Sequence, residues 1–146
     1  MRRLLLLILL TACRGETFEP EDLGAIRFTP PPSYRTMWAR AEACSGRSGE
    51  FERLSWWVVP GVRTFDYAAD EPRADGLYER NRHTITLAGA ALPHPMVVRH
   101  EMLHALGYGE EHPAVPFRDP CRATWDSWDR TEPTLDLPPD LRAYLP

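Results

Sequence analysis

The chain of 146 residues contains no lysine, and its 17 arginines are not gathered into a basic cluster. Aspartate and glutamate together number 21, so the formal net charge is −4. Proteins that bind nucleic acid use a basic patch to neutralise phosphates. We therefore expect no nucleic-acid partner. The sequence also lacks internal repeats, and its length suits one domain with its own core.

The sequence lacks a hydrophobic run that could span a bilayer, because residues 4–10 supply only seven apolar residues where a spanning helix needs about 20. This run follows Met1-Arg2-Arg3 and precedes small residues, a pattern typical of an export signal in residues 1–12. Residues 10–13, Leu-Thr-Ala-Cys, resemble the lipobox of bacterial lipoproteins. The resemblance implies lipidation of Cys13 and attachment to a membrane surface of the bacterial cell envelope. The alternative is a plain secretory signal with an incidental cysteine.

Removal of residues 1–12 would take away two arginines and leave 15 against 21 acidic residues, a net charge of −6. Residues 13–32 are polar, acidic and proline-bearing, and such a composition is typical of a tether. One edge strand is conceivable within it, at residues 25–28. We expect residues 33–146 to form the domain.

Only two further cysteines are present, Cys44 and Cys121. Neither has the neighbouring ligands at short spacing that a cysteine metal site requires. Two cysteines in an exported chain usually pair, so we expect a disulfide, with two free thiols as the alternative. Closing a loop of this length contributes roughly 4 kcal/mol in the chain-entropy model.

Hydrophobic periodicity predicts an N-terminal helix and a small sheet. The helix is indicated by Ser33 as N-cap and by an apolar stripe that ends before Gly46, formed by Tyr34, Met37, Trp38, Ala41 and Cys44. Residues 54–59 are apolar on both faces and predict a central strand. Residues 76–80 and 83–88 predict a hairpin whose edge could hold an extended peptide.

The sequence His-Glu-Met-Leu-His at residues 100–104 carries the clearest functional signal. Pro93-His94-Pro95 before it and Gly107 after it bound a predicted helix of about three turns. His100 and His104 are one turn apart on the same face, with Glu101 beside them, so the two imidazoles can share one metal ion. Arg99 is the only other charged residue of this otherwise apolar helix, and polar groups buried there need a partner. The alternative is a structural helix whose histidines are only hydrogen-bonded.

By these residues the chain resembles the zincin metallopeptidases. The resemblance implies that His100 and His104 bind Zn²⁺ and that Glu101 is the general base. The longer metzincin pattern matches as far as Gly107, but its last position holds Glu110, and the histidine follows at His112. The methionine of the metzincin turn and the later ligand helix of the gluzincins are missing, so neither clan is assigned.

A catalytic zinc ion usually has three protein ligands and one open position. Gly107 lets the chain reverse after the helix and return beneath the metal. We favour His112 as the third ligand, because imidazole suits zinc and Pro113 stiffens its approach. Glu110, Glu111 or a distant carboxylate are the alternatives.

Four further residues could contribute to such a site. Tyr78 and Tyr108 are candidate donors to an oxyanion, although tyrosines in a small domain are more often packed in the core. His83 and His94 are expected at the surface or at a helix cap.

The sequence predicts an α+β, zincin-like domain with a small mixed sheet packed on the site helix and on the N-terminal helix. We expect a monomeric, lipid-anchored zinc metallopeptidase that acts on a peptide or protein substrate. The alternatives are a zinc-containing envelope lipoprotein that binds a partner without cleaving it, and an amidase acting on cell-wall material.

Overall fold

Four short strands form one mixed sheet. The structure is a computed structural model that describes residues 19–68, 71–109 and 111–146. Its strands are β1 (Ile26–Arg27), β2 (Ser55–Val59), β3 (Gly76–Glu79) and β4 (Thr84–Ala88), and they lie in the order β1-β2-β4-β3. The central strands β2 and β4 are parallel, and β1 and β3 pair antiparallel at the two edges. The predicted α+β class with a small mixed sheet is confirmed.

The predicted hairpin is formed by β3 and β4, with Tyr78 opposite Ile85. All five residues of β4 are buried, because this strand lies between β2 and β3. The polar positions Thr84 and Thr86 are buried along with the apolar ones. Of the two hairpin strands, β3 is therefore the one that lies at the edge of the sheet, where the sequence predicts a surface for an extended peptide.

The helices are α1 (Pro32–Ser45), α2 (Pro95–Ala105) and two short ones, α3 (Ala114–Phe117) and α4 (Pro139–Arg142). No helix among the described residues is both long and apolar enough to cross a membrane. The prediction that Ser33 caps α1 is wrong, because the N-cap is Pro31. Proline at the first helical position already presets the backbone of that turn, and the Ser33 hydroxyl instead donates to the Asp136 carbonyl at 3.1 Å.

Helix α2 begins at Pro95, with His94 as its N-cap. The chain leaves it through Gly107, whose φ of 93° lies in the range that glycine tolerates best. Within residues 95–103 every residue except His100 is buried, as expected for a helix that is apolar nearly all round. Residues 89–94, which include a single 3-10 turn at Gly89–Ala91, connect β4 to α2, so the sheet and the site helix are held close together.

Helix α1 packs against α2 and the sheet. The Tyr34 hydroxyl donates to the Leu92 carbonyl at 2.8 Å, and its ring lies 5.0 Å from that of Trp56. The predicted disulfide is present, and it joins Cys44 near the end of α1 to Cys121 beyond α3. The disulfide therefore attaches the irregular segment that follows the histidines to the N-terminal helix α1.

Residues 19–32, which the sequence assigns to a tether, contribute to this fold. The predicted strand is present as β1, which pairs with β2 through Ile26 and Val58. Pro20 and Ala25 are buried. The predicted signal peptide, residues 1–12, and Cys13 lie outside the described residues.

Candidate metal centre

The structure brings three imidazoles together. His100 and His104 project from successive turns of α2, and His112 comes from the segment that follows the helix. Their Nε2 atoms form a triangle with sides of 3.0, 3.1 and 3.2 Å. Among the described residues these three histidines are the group that could hold a metal ion.

The triangle fits the coordination of a small divalent metal ion. Nitrogen ligands at a tetrahedral zinc ion lie about 2.0–2.1 Å from the metal, which separates them from one another by about 3.3–3.4 Å. The sides measured for His100, His104 and His112 are within about 0.4 Å of that spacing. The donor set therefore matches a metal that prefers imidazole, of which zinc is the common case.

The tautomers of the helical histidines also favour a cation. Nδ1 of His100 is 2.7 Å from the Ala123 carbonyl, and Nδ1 of His104 is 3.2 Å from the Tyr108 carbonyl. A carbonyl only accepts, so each Nδ1 carries the hydrogen and each Nε2 presents a lone pair. Lone pairs directed at one point repel each other unless a positive charge lies between them. Backbone carbonyls that orient histidines in this way are typical of metal centres.

The charge state of His100 suits a ligand. Burial, and more weakly the neighbouring His104 and His112, lower its pKa to about 4, against the hydrogen bond to the Ala123 carbonyl, which raises it. The ring is therefore neutral at pH 7, and metal ions bind neutral imidazole.

His112 is positioned by the loop after α2, and the start of this loop is attached to α1. The Tyr108 hydroxyl donates to the Ser45 carbonyl at 3.0 Å, and the Arg47 guanidinium lies over the Tyr108 ring at 3.8 Å. His112 itself has a φ of 45°, a left-handed conformation that turns the chain back towards the helix. Of the alternative third ligands, Glu111 is not part of the metal-binding group, and Glu110 lies outside the described residues.

Phe117 forms the base of the histidine cluster, a role that the sequence did not indicate. Its ring centroid lies 5.0 Å from His100, 5.0 Å from His104 and 5.1 Å from His112. The side chain is fully buried. The only sequence signal was a single aromatic residue in the segment between His112 and Cys121, which indicates packing but does not show against what.

Glu101 lies beside the imidazoles against the sheet edge. It is 5% exposed, and a Cβ atom at Gly76 would be 2.8 Å from its Cγ. Only glycine at position 76 leaves room for this placement. Burial raises the pKa of Glu101 to about 8, although the backbone N–H of Tyr78 hydrogen-bonds its carboxylate and lowers the pKa.

A cleft of about 1140 Å³ opens over these groups. Its lining includes all three histidines and Glu101, together with Gly76, Tyr78, Tyr108 and Gly109. Both candidate oxyanion donors thus border the cleft. The hydroxyl of Tyr108 is taken by Ser45, whereas that of Tyr78 lies 3.3 Å from Nδ1 of His83 in the hairpin turn.

The remaining histidine, His94, lies apart from this cleft. It is the N-cap residue of α2, as predicted for a capping position, and its ring contacts Trp125 and Trp128 at centroid distances of 5.1 and 4.5 Å. Burial lowers its pKa.

Comparisons of this chain with protein-family models, with curated proteins and with solved structures returned no match. Its interpretation therefore depends on the geometry of its own residues.

Proposed function

We propose that the protein is a zinc-dependent metallopeptidase with a zincin-like domain. The observation that carries the proposal is the convergence of three imidazole Nε2 atoms within 3.2 Å of one another, two of them oriented by backbone carbonyls. A structural zinc site needs four protein ligands, whereas a catalytic one takes three and keeps a position for water or substrate. Three histidines at the floor of an open cleft suit the catalytic type.

His100, His104 and His112 would hold the zinc ion, which supplies Lewis-acid polarisation of a substrate carbonyl and makes water more acidic. Glu101 adjoins this position on the same helix face. In the proposed reaction its carboxylate, whose ionised form the bound cation would favour against burial, accepts the proton of the attacking water and returns it to the nitrogen of the leaving amine. The Tyr78 N–H holds the carboxylate in place before the reaction begins.

The edge strand β3 supplies a binding surface for an extended peptide. The Ala88 N–H donates to the Asp75 carbonyl at 2.9 Å. Backbone groups alternate along an antiparallel pair, so those of Gly76 and Tyr78 point away from β4 and towards the cleft, where the Tyr78 N–H already bonds the Glu101 carboxylate. We propose that the substrate lies along this edge, with its scissile bond near Glu101.

The proposed location is the surface of a bacterial envelope membrane. Its support comes from the sequence of residues 1–13, where a short apolar run precedes Leu-Thr-Ala-Cys. Lipidation of Cys13 would anchor the domain. Mass spectrometry of the mature protein tests this, and a mature N-terminus other than a lipidated Cys13 contradicts it.

The first test of the function is metal content. We expect about one zinc ion per chain in the purified protein and a loss of zinc from the His104→Ala variant, measured by elemental analysis. Absence of metal from both, even after incubation with zinc, would remove the basis of the proposal.

The second test separates catalysis from metal binding. Glu101→Gln keeps the size of the side chain but cannot accept a proton, so turnover should be lost while zinc remains bound. The competing function is a zinc-containing binding protein without catalysis, and the 5% exposure of Glu101 favours it. A zinc-loaded protein that cleaves neither a broad peptide library nor amide bonds of cell-wall fragments would establish that competitor.

A further inference from the structure

The orientation of His100 depends on a short irregular segment, residues 121–123. The Ala123 carbonyl accepts from Nδ1 of His100 at 2.7 Å, a shorter distance than the 3.2 Å between His104 and Tyr108. The segment belongs to no helix or strand. Its position must therefore be set by contacts other than a regular backbone ladder.

Arg99 provides such a contact. It precedes His100 in α2, and its side chain is 7% exposed. Its guanidinium makes two hydrogen bonds to the Glu132 carboxylate, at 2.9 and 3.0 Å, and Nη2 also donates to the Arg122 carbonyl at 2.9 Å. One buried cation thus joins a carboxylate to the backbone immediately before Ala123.

The backbone of Arg122 needs this support. Its φ of 49° lies in the left-handed region, which is unfavourable for a residue with a side chain. On one side Cys121 is bonded to Cys44, and on the other the Ala123 N–H donates to the Phe117 carbonyl at 2.6 Å. Between these two attachments, the bond from Arg99 fixes the direction of the Arg122 carbonyl.

We propose that Arg99, held by Glu132, is a positioning residue of the metal centre. By fixing the Arg122 carbonyl it sets the place of the Ala123 carbonyl, and this in turn presents Nε2 of His100 to the other two imidazoles. The inference rests on the metal site of the proposed function. It also explains why an arginine is buried here, since a planar guanidinium can bind a carboxylate with two bonds and a carbonyl with a third.

Arg99→Lys tests the inference. Lysine keeps the charge and can still pair with Glu132, but a single ammonium group cannot reproduce the fork geometry. Loss of an interaction that orients a metal ligand typically weakens metal binding 10- to 100-fold. We expect a loss in this range for zinc, measured by competition with a chromophoric chelator. In the zinc-free variant, ¹⁵N spectra of His100 should show a second tautomer that the unsubstituted protein lacks.

Two controls separate positioning from loss of stability. Arg142 also bonds a backbone carbonyl and a carboxylate, donating to the Leu137 carbonyl at 2.8 Å and pairing with Asp136 at 3.0 Å, and neither partner belongs to residues 121–123 or to the metal centre. Arg142→Lys should leave zinc affinity and the His100 tautomer unchanged. Leu141→Ala removes a side chain that is 1% exposed, so it should destabilise the fold and also leave both readouts unchanged.

Glu132→Gln provides a second variant should Arg99→Lys fail to fold, with an expected several-fold loss of zinc affinity. The inference is overturned if the folded Arg99 and Glu132 variants bind zinc as tightly as Arg142→Lys and show one His100 tautomer. If the unsubstituted protein binds no zinc, both the proposed function and this inference fail. If it binds zinc and only the variants behave unexpectedly, the proposed function stands.

Discussion

Replacing Gly76 by alanine tests whether Glu101 acts from the position that the structure gives it. The added Cβ would lie 2.8 Å from Cγ, 2.9 Å from Oε1 and 3.0 Å from Cδ of Glu101. Ordinary contacts begin at 3.4 Å, so the Glu101 side chain must move by roughly half an ångström to keep normal packing. Such a shift also strains the hydrogen bond from the Tyr78 N–H.

The expected losses of activity and stability follow from the size of that shift. A misplacement of about 1 Å lowers catalytic rates by about 100-fold, so we expect kcat/KM to fall by about 10- to 100-fold in Gly76→Ala. Overpacking a tight site usually costs about 1–3 kcal/mol of unfolding free energy. Zinc affinity should stay unchanged, because the three atoms nearest to the added methyl group all belong to Glu101.

The assay compares Gly76→Ala with Gly109→Ala in the same cleft, where a Cβ meets nothing within 4 Å. Peptide turnover, urea unfolding and chelator competition are measured for both variants. Gly109→Ala should behave as the unsubstituted protein. Equal turnover in the two variants, or a loss of zinc from Gly76→Ala, would refute the placement of Glu101 against β3.

Three further outcomes are expected. Phe117→Leu should keep the fold at a cost of about 1 kcal/mol and weaken zinc binding, because the three imidazoles lose the ring on which they pack; urea unfolding and chelator competition measure both effects. The double variant Cys44→Ser, Cys121→Ser should lose about 4 kcal/mol of unfolding free energy, since the disulfide closes a separation of 77 residues; unchanged stability would contradict this. Burial lowers the pKa of His94, so the unfolded chain takes up a proton below about pH 6.5 that the folded protein does not. Stability should therefore fall as the pH falls, and unfolding curves of His94→Asn should show a smaller fall.

The parts of the fold that sequence patterns predict are those with local signals. Pro95 and Gly107 mark the limits of α2 through their own backbone preferences, and the period of the apolar residues indicates which face is buried. The hairpin is similarly marked by its alternating strand. The prediction of the N-cap of α1 was wrong because two competing signals lie within three residues, namely Ser33 and the prolines before it.

In the candidate site, too, local sequence patterns predict some residues and not others. One helix turn brings together His100, Glu101 and His104, so the sequence predicts them. The placement of His112 depends instead on a reversal of the chain after α2, to which several residues contribute. Two of the three imidazoles are oriented by the backbone carbonyls of Ala123 and Tyr108. A carbonyl is common to every residue type and leaves no pattern in a sequence.

The contacts that fix the position of the Ala123 carbonyl join residues far apart in the chain. Arg99 and Glu132 are 33 residues apart, and Cys44 and Cys121 are 77 apart. Contacts between residues so far apart close long loops, which costs conformational entropy, so they depend on the packing of the whole fold and not on any local pattern. The helix alone therefore specifies two of the three residues that could bind a metal, His100 and His104. The irregular segments after it determine whether the imidazoles meet at one point, which is why substitutions far from the histidines are expected to change metal affinity.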